Sequence, residues 1–172
     1  MNTTPHGERL QIALFGRRNA GKSSLINAIT GQEVAIVSDI KGTTTDPVSK
    51  AMELLPLGPV LLIDTAGLDD DGELGNERMR RTKTVLNKTD IALIVVDGTQ
   101  SESDFYWEEK LIRLMEAKKI PYLLVYNKCD LCNDNESGLT RKADLCVSAK
   151  TGYHISELRE RIAAKILSLI HI

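Results

Sequence analysis

Residues 16–23 read Gly16-Arg17-Arg18-Asn19-Ala20-Gly21-Lys22-Ser23, the pattern G-x-x-x-x-G-K-S. A glycine-rich loop of this kind curls its backbone N–H groups around phosphate oxygens, and a following helix adds partial positive charge at its N-terminus. The context fits: an apolar run, Leu10–Phe15, precedes the loop, and Lys22–Thr30 reads as a helix. Lys22 would reach the β- and γ-phosphates, with the Ser23 hydroxyl on Mg²⁺. Arg17, Arg18, Asn19, Ala20, Gly21 and Ser24 complete the candidate phosphate-binding set.

Further along, Asp64-Thr65-Ala66-Gly67 follows the apolar run Val60–Ile63. An aspartate at a strand end beside a phosphate loop can hold Mg²⁺ through a water, and Gly67 would let a backbone N–H approach the γ-phosphate. Asn127-Lys128-Cys129-Asp130 ends another apolar run, Tyr122–Tyr126. A carboxylate at Asp130 accepts from the ring N–H and amino group of guanine; adenine lacks that ring donor and would leave the carboxylate unpaired. Lys128 would cover the base with its aliphatic stem, Asn127 would tie its loop to the phosphate loop, and Ser148-Ala149-Lys150 would bring a backbone N–H to the guanine carbonyl. Between these motifs, Ser38–Asp46 is polar and aperiodic, as in a mobile switch. A threonine hydroxyl there would complete the Mg²⁺ shell only when a γ-phosphate is present.

The elements that must position these motifs alternate. Strands are expected at Leu10–Phe15, Ser49–Leu55, Val60–Asp64, Ile91–Asp97, Tyr122–Tyr126 and Asp144–Ser148. Helices are expected at Lys22–Thr30, Asn76–Asn87, Asp104–Lys118 and Ile155–Ile170. In the last helix Ile155, Leu158, Ile162, Ile166 and Leu169 mark one buried face. Continuous apolar runs such as Ile91–Val96 suit strands covered on both faces. The alternation predicts a three-layer α/β fold, a mixed six-stranded sheet with helices on both faces. Pro56–Pro59 is too short for a crossover, so the second and third strands should form an antiparallel edge pair. Ligands then belong beyond the carboxyl ends of the strands.

Composition limits the alternatives. A chain of 172 residues makes one domain able to bury about 70% of its unfolded surface. Net charge is −2 with no long basic block, so a nucleic-acid surface is not indicated. The longest aliphatic run is too short to cross a bilayer, and residues 1–8 are polar and lack the apolar core of a signal peptide. We therefore expect a flexible N-terminal extension over 1–8, a cytoplasmic location, and no membrane partner. Three cysteines, Cys129, Cys132 and Cys146, make neither a disulfide framework nor a complete tetrahedral metal set.

The four motifs and the G-T-T-x-D switch resemble the translation-factor-related GTPases that include Era and the tRNA-modifying GTPase, over essentially residues 9–170. The opening run T-P-H-G-E-R-L-Q-I-A-L-F-G-R-R-N-A-G-K-S-S looks more specifically like the [FeFe]-hydrogenase maturation GTPases, the HydF family. That resemblance implies slow, K⁺-stimulated GTP hydrolysis serving H-cluster assembly; the alternative is a nucleotide-gated switch of the Era ribosome-assembly type. It implies Thr44 as a direct Mg²⁺ ligand beside Ser23 and Asp64, and Asn19 as a K⁺ ligand aided by carbonyls of Ser38 and Ile40. Departures are present: Arg18 stands where proline is common, and Thr45 where many relatives have arginine. Leu68 follows Gly67, so the water-positioning glutamine of Ras-like enzymes is absent. Asp70, Asp71 and Glu73 are candidate substitutes, each equally readable as a solvated charge. The resemblance also implies partners among the other maturases, a possible G-domain dimer through the switches, and dimerisation and iron–sulfur domains downstream of a G domain at 9–172. No iron–sulfur cluster is expected in this segment.

Overall fold

A computed structural model describes residues 9–31, 48–65, 75–100, 105–132 and 143–170. Six strands run in chain order: β1 (Leu10–Phe15), β2 (Val48–Leu54), β3 (Gly58–Asp64), β4 (Ile91–Asp97), β5 (Tyr122–Asn127) and β6 (Leu145–Cys146). Four helices join them: α1 (Lys22–Thr30), α2 (Gly75–Leu86), α3 (Tyr106–Ala117) and α4 (Ile155–Ile170). The sheet order is β2-β3-β1-β4-β5-β6, with only β2 antiparallel to its neighbour.

Side-chain alternation explains the layers. Ile12 and Leu14 of β1 enter one core with Leu25, Ile26 and Ile29 of α1 and Leu158, Ile162 and Ile166 of α4. Ala13 and Phe15 enter the opposite core with Val85 and Leu86 of α2 and Leu111 and Met115 of α3. All seven residues of β4 are buried, because β1 and β5 flank it and helices cover both faces. The expected three-layer architecture and antiparallel edge pair are both present.

The boundaries shift for local reasons. The hairpin turn is Leu55–Leu57, and Pro59 lies inside β3 opposite Glu53. Pairing of β3 with β1 begins only at Leu10↔Val60, so Pro59 owes no ladder donor on that side. The last strand is two residues long rather than Asp144–Ser148; beyond Cys146 the chain turns off, its Val147 N–H still bonded to Tyr126 O at 2.7 Å. Leu169, expected on the buried face of α4, is 43% exposed, since the last turn reaches the start of β5 beside Lys119–Tyr122.

Because β1, β3, β4, β5 and β6 are parallel, their carboxyl ends share one edge of the sheet. The motifs follow those ends: Gly16 after β1, Asp64 ending β3, Asn127 ending β5, and Ser148 just past β6. The far end of α1 is held by α4. Arg159 Nε donates to Ile29 O at 2.8 Å and Nη2 to Ala28 O at 3.1 Å, capping carbonyls that the helix leaves unpaired. Arg159→Ala should cost about 1–2 kcal/mol of stability, the usual value of a charge-assisted cap. Urea unfolding followed by circular dichroism reads this directly; an unchanged midpoint would show that the cap carries no load.

Candidate functional site

The phosphate loop is shaped by what its glycines permit. A Cβ on Gly16 would stand 2.2 Å from Val95 O of β4, so only glycine lets β1 exit this close to its neighbour. Arg18–Ala20 makes one 3-10 turn, and Gly21, at φ +87°, reverses the chain into α1. No side chain caps the start of α1, which leaves its first N–H groups facing the loop's concavity, as anion binding requires.

Lys22 is 4% exposed, and its ammonium donates to the carbonyls of Gly16 and, at 3.1 Å, Arg17. Ser23 Oγ donates to Asp64 Oδ2 at 2.7 Å. The register that pairs Leu14 with Asp64 delivers this carboxylate beside the loop, and Thr65 locks the corner by donating its hydroxyl to Leu14 O at 2.6 Å. A hydroxyl and a carboxylate at the mouth of an anion cradle form a hard-oxygen pair suited to Mg²⁺. They would hold that ion, which supplies positive charge against the phosphates.

The second half of the site hangs on Asn127, buried at the end of β5. Its Nδ2 donates to Ala20 O at 3.0 Å, and its Oδ1 accepts from Ala149 N at 3.0 Å. One amide therefore ties the phosphate loop to the Ser148–Lys150 segment. Lys128 takes the left-handed conformation, φ +65°, which turns its side chain back to donate to Asn19 O at 2.7 Å and Asp97 Oδ2 at 3.0 Å. Asp130 Oδ1 accepts from Ser148 Oγ at 2.8 Å. A cavity of about 690 Å³ opens between these groups, lined by Gly21, Ser24, Asn127, Lys128, Asp130 and Ser148 among others, within the range of small-molecule sites.

Several expected residues are placed differently or not at all. Arg17 was expected among the phosphate-binding residues, but its side chain is taken by α3, with Nε 3.0 Å from Glu108 Oε1 and Nη2 3.4 Å from Oε2. Glu108 is fully buried, so the guanidinium that compensates it is held in place. Arg18 and Asn19 are exposed on the loop's turn. Ser38, Ile40, Thr44, Gly67, Asp70, Asp71 and Glu73 lie outside the described residues. The structure adds Asp97, Glu108 and the cavity-lining Asn27. Asp97 had a legible signal, a charge ending a buried strand at the same edge as Asp64 and Asn127. The partnership of Glu108 with Arg17 spans 91 positions and left none.

Comparison with known proteins agrees with this geometry. A P-loop GTPase domain is the class that the fold and the cleft define. Residues 11–128 match the profile described as 50S ribosome-binding GTPase. The chain is 36% identical over 164 residues to the tRNA modification GTPase MnmE of Nitrosospira multiformis, covering 92% of this chain and 35% of that protein. It is 37% identical over 130 residues to GTPase Der of Sulfurimonas denitrificans, covering 74% of this chain and 26% of that one. Era of Aquifex aeolicus, solved as a variant bound to GDP·AlF4⁻, superposes with a TM-score of 0.66 at 25% identity, over 88% of this chain and 55% of Era. The chain belongs to the 50S ribosome-binding GTPase family, and it spans about a third or less of the length of these curated relatives. Among the described residues, no helix is long and apolar enough to cross a membrane.

Asp97 gives a pH test of the site's framework. Burial alone would raise its pKa, but hydrogen bonds from Thr99 and Lys128, with the Lys128 charge, outweigh that and hold it below the ordinary value of 3.8. A depressed carboxylate stabilises the fold fully above its unfolded pKa and loses that contribution as pH falls through the folded one. Asp97→Asn should therefore be less stable than the parent at neutral pH, with the gap closing as pH drops below about 4. Unfolding midpoints at several pH values check it; a gap constant across that range would contradict the assignment.

Proposed function

We propose that this domain binds GTP with Mg²⁺ and hydrolyses it slowly, with stimulation by K⁺, as a nucleotide-gated element in [FeFe]-hydrogenase maturation. The observation that carries guanine binding is the double tie of Asn127, which sets Asp130 and Ala149 on the cavity beside the phosphate loop. Asp130 would accept from the guanine edge while the N–H groups of α1 receive the phosphates. Asp130→Asn should weaken GTP binding and favour xanthosine nucleotides, because an amide donates where guanine also donates but xanthine presents a carbonyl. Competition of each nucleotide against fluorescent GDP measures this. Equal affinity of the parent domain for ATP and GTP would remove the base assignment.

Hydrolysis needs positive charge where the transition state develops negative charge. With Arg17 held by Glu108, we assign that task to a monovalent cation on Asn19, with carbonyls of the 38–43 segment completing its shell. Turnover should be faster in K⁺ than in Na⁺ at equal ionic strength. Asn19→Ala should remove most of that difference while nearly preserving GTP affinity, as single-turnover assays in the two salts can show. Full K⁺ stimulation in Asn19→Ala would shift the role to Arg18.

The place in hydrogenase maturation rests on the resemblance of the opening run, with partners in the other maturases and in the dimerisation and iron–sulfur domains such proteins carry. The family description favours a second reading, a switch whose GTP state controls ribosome contact. Stimulation of single-turnover hydrolysis by purified maturases supports the first; stimulation by 50S subunits alone supports the second.

A further inference from the structure

Three thiols meet beneath the base-reading turn. Cys129 and Cys132 flank Asp130, and Cys146 lies on β6 opposite Tyr126. Main-chain bonds hold them together: Cys129 N donates to Val147 O at 3.1 Å and Cys132 N to Cys129 O at 3.2 Å. The 3-10 turn Cys129–Leu131 puts Cys129 and Cys132 at i and i+3, where side chains lie one above the other. Cys129 Sγ and Cys132 Sγ also lie 3.5 Å from the carbonyl oxygens of Tyr126 and Lys128. Gly98 makes room for this arrangement, since a Cβ there would stand 2.8 Å from Cys132 Sγ. All three cysteines are partly exposed, so small reagents reach them.

We propose that Cys129 and Cys132 form an oxidative modification site, with a low-molecular-weight disulfide such as glutathione disulfide as oxidant, and that the bond they close draws Asp130 away from guanine. Cys132 attacks first: burial, then the neighbouring Cys146 and Cys132, push the Cys129 thiol up to about 12, so it stays protonated at neutral pH. The Cys132 thiolate bonds to one glutathione sulfur and releases the other half as a thiol after proton uptake. Cys129 then loses its proton and displaces the second glutathione. Two S–H bonds become one S–S bond, and the two electrons reduce one glutathione disulfide to two thiols. The two sulfurs must close to about 2.0 Å, and Asp130 and Leu131 between them must follow. A carboxylate reading a base tolerates displacement of only about 0.5 Å.

This inference rests on the guanine reading of the loop, and the experiment separates the two. The 172-residue chain is titrated with fluorescent GDP after treatment with dithiothreitol or glutathione disulfide, and the bond is mapped by mass spectrometry. Oxidised protein should bind about tenfold more weakly, the loss of roughly one charge-assisted hydrogen bond, and recover on reduction. Cys132→Ser should show equal affinity in both treatments, Cys129→Ser should stop at a mixed glutathione disulfide on Cys132 that mass spectrometry detects, and Cys146→Ser should respond like the parent. An oxidised parent that binds as its reduced form does, a bond mapped to Cys146, or a responsive Cys132→Ser each overturns the proposal. Reduced protein that ignores GDP overturns the guanine reading itself, and this proposal with it.

Discussion

The side chain of Asn127 is the interaction on which the rest of the site depends. A primary amide offers a donor and an acceptor on opposite sides of one rigid plane, and both are used here. The donor serves the carbonyl of Ala20 in the phosphate loop, and the acceptor serves the N–H of Ala149 after β6. Each bond is worth only about 1 kcal/mol net, but a buried amide that lost one partner would also strand a main-chain group. The larger consequence is geometric. Segments more than 100 positions apart in sequence are fixed to the same atom group, so the phosphate and base halves of the cleft cannot drift independently.

This tie works only because the sheet has already brought its ends together. Parallel strands end on one edge: the β1–β3 register pairs Asp64 with Leu14 just before the phosphate loop, and the β4–β5 register pairs Asn127 with Asp97 farther along that edge. Gly21 must stay bare for the same reason: a Cβ there would press within 2.5 Å of Asn127 Nδ2. The charged side chains then form a second lattice around the first. Lys128 spans Asn19 and Asp97, and Arg17 spans the loop and α3 through Glu108. Lys128 and Arg17 are thus held by the scaffold, and a pair of hard oxygens suited to Mg²⁺ sits at Ser23 and Asp64.

The fold was legible in unusual detail because its signals are local. A seven-residue apolar strand, a glycine-rich turn and a helix with apolar residues at three- and four-residue spacing each encode their own conformation. Errors gathered where an element meets something distant. The last strand keeps only the pairs Val125↔Leu145 and Tyr126↔Cys146, and Leu169 lies half exposed beside Lys119–Tyr122 at the start of β5.

The sequence by itself determined the class of chemistry, since phosphate loop, metal-side aspartate and base-reading aspartate are short motifs whose backbone geometry is set within a few residues. It also determined the layer order, through alternation of strand and helix. Only the tertiary structure decided what the loop's cations do. Arg17 reads in sequence as a residue of the phosphate loop with no direction given to its side chain; the structure turns that side chain to a fully buried carboxylate on α3, because a charge inside the protein must be compensated. Likewise, nothing in the spacing of Cys129, Cys132 and Cys146 tells that Cys146 lies next to the Cys129–Cys132 turn. The β5–β6 register puts it there, and register is a property of paired strands that no single segment carries.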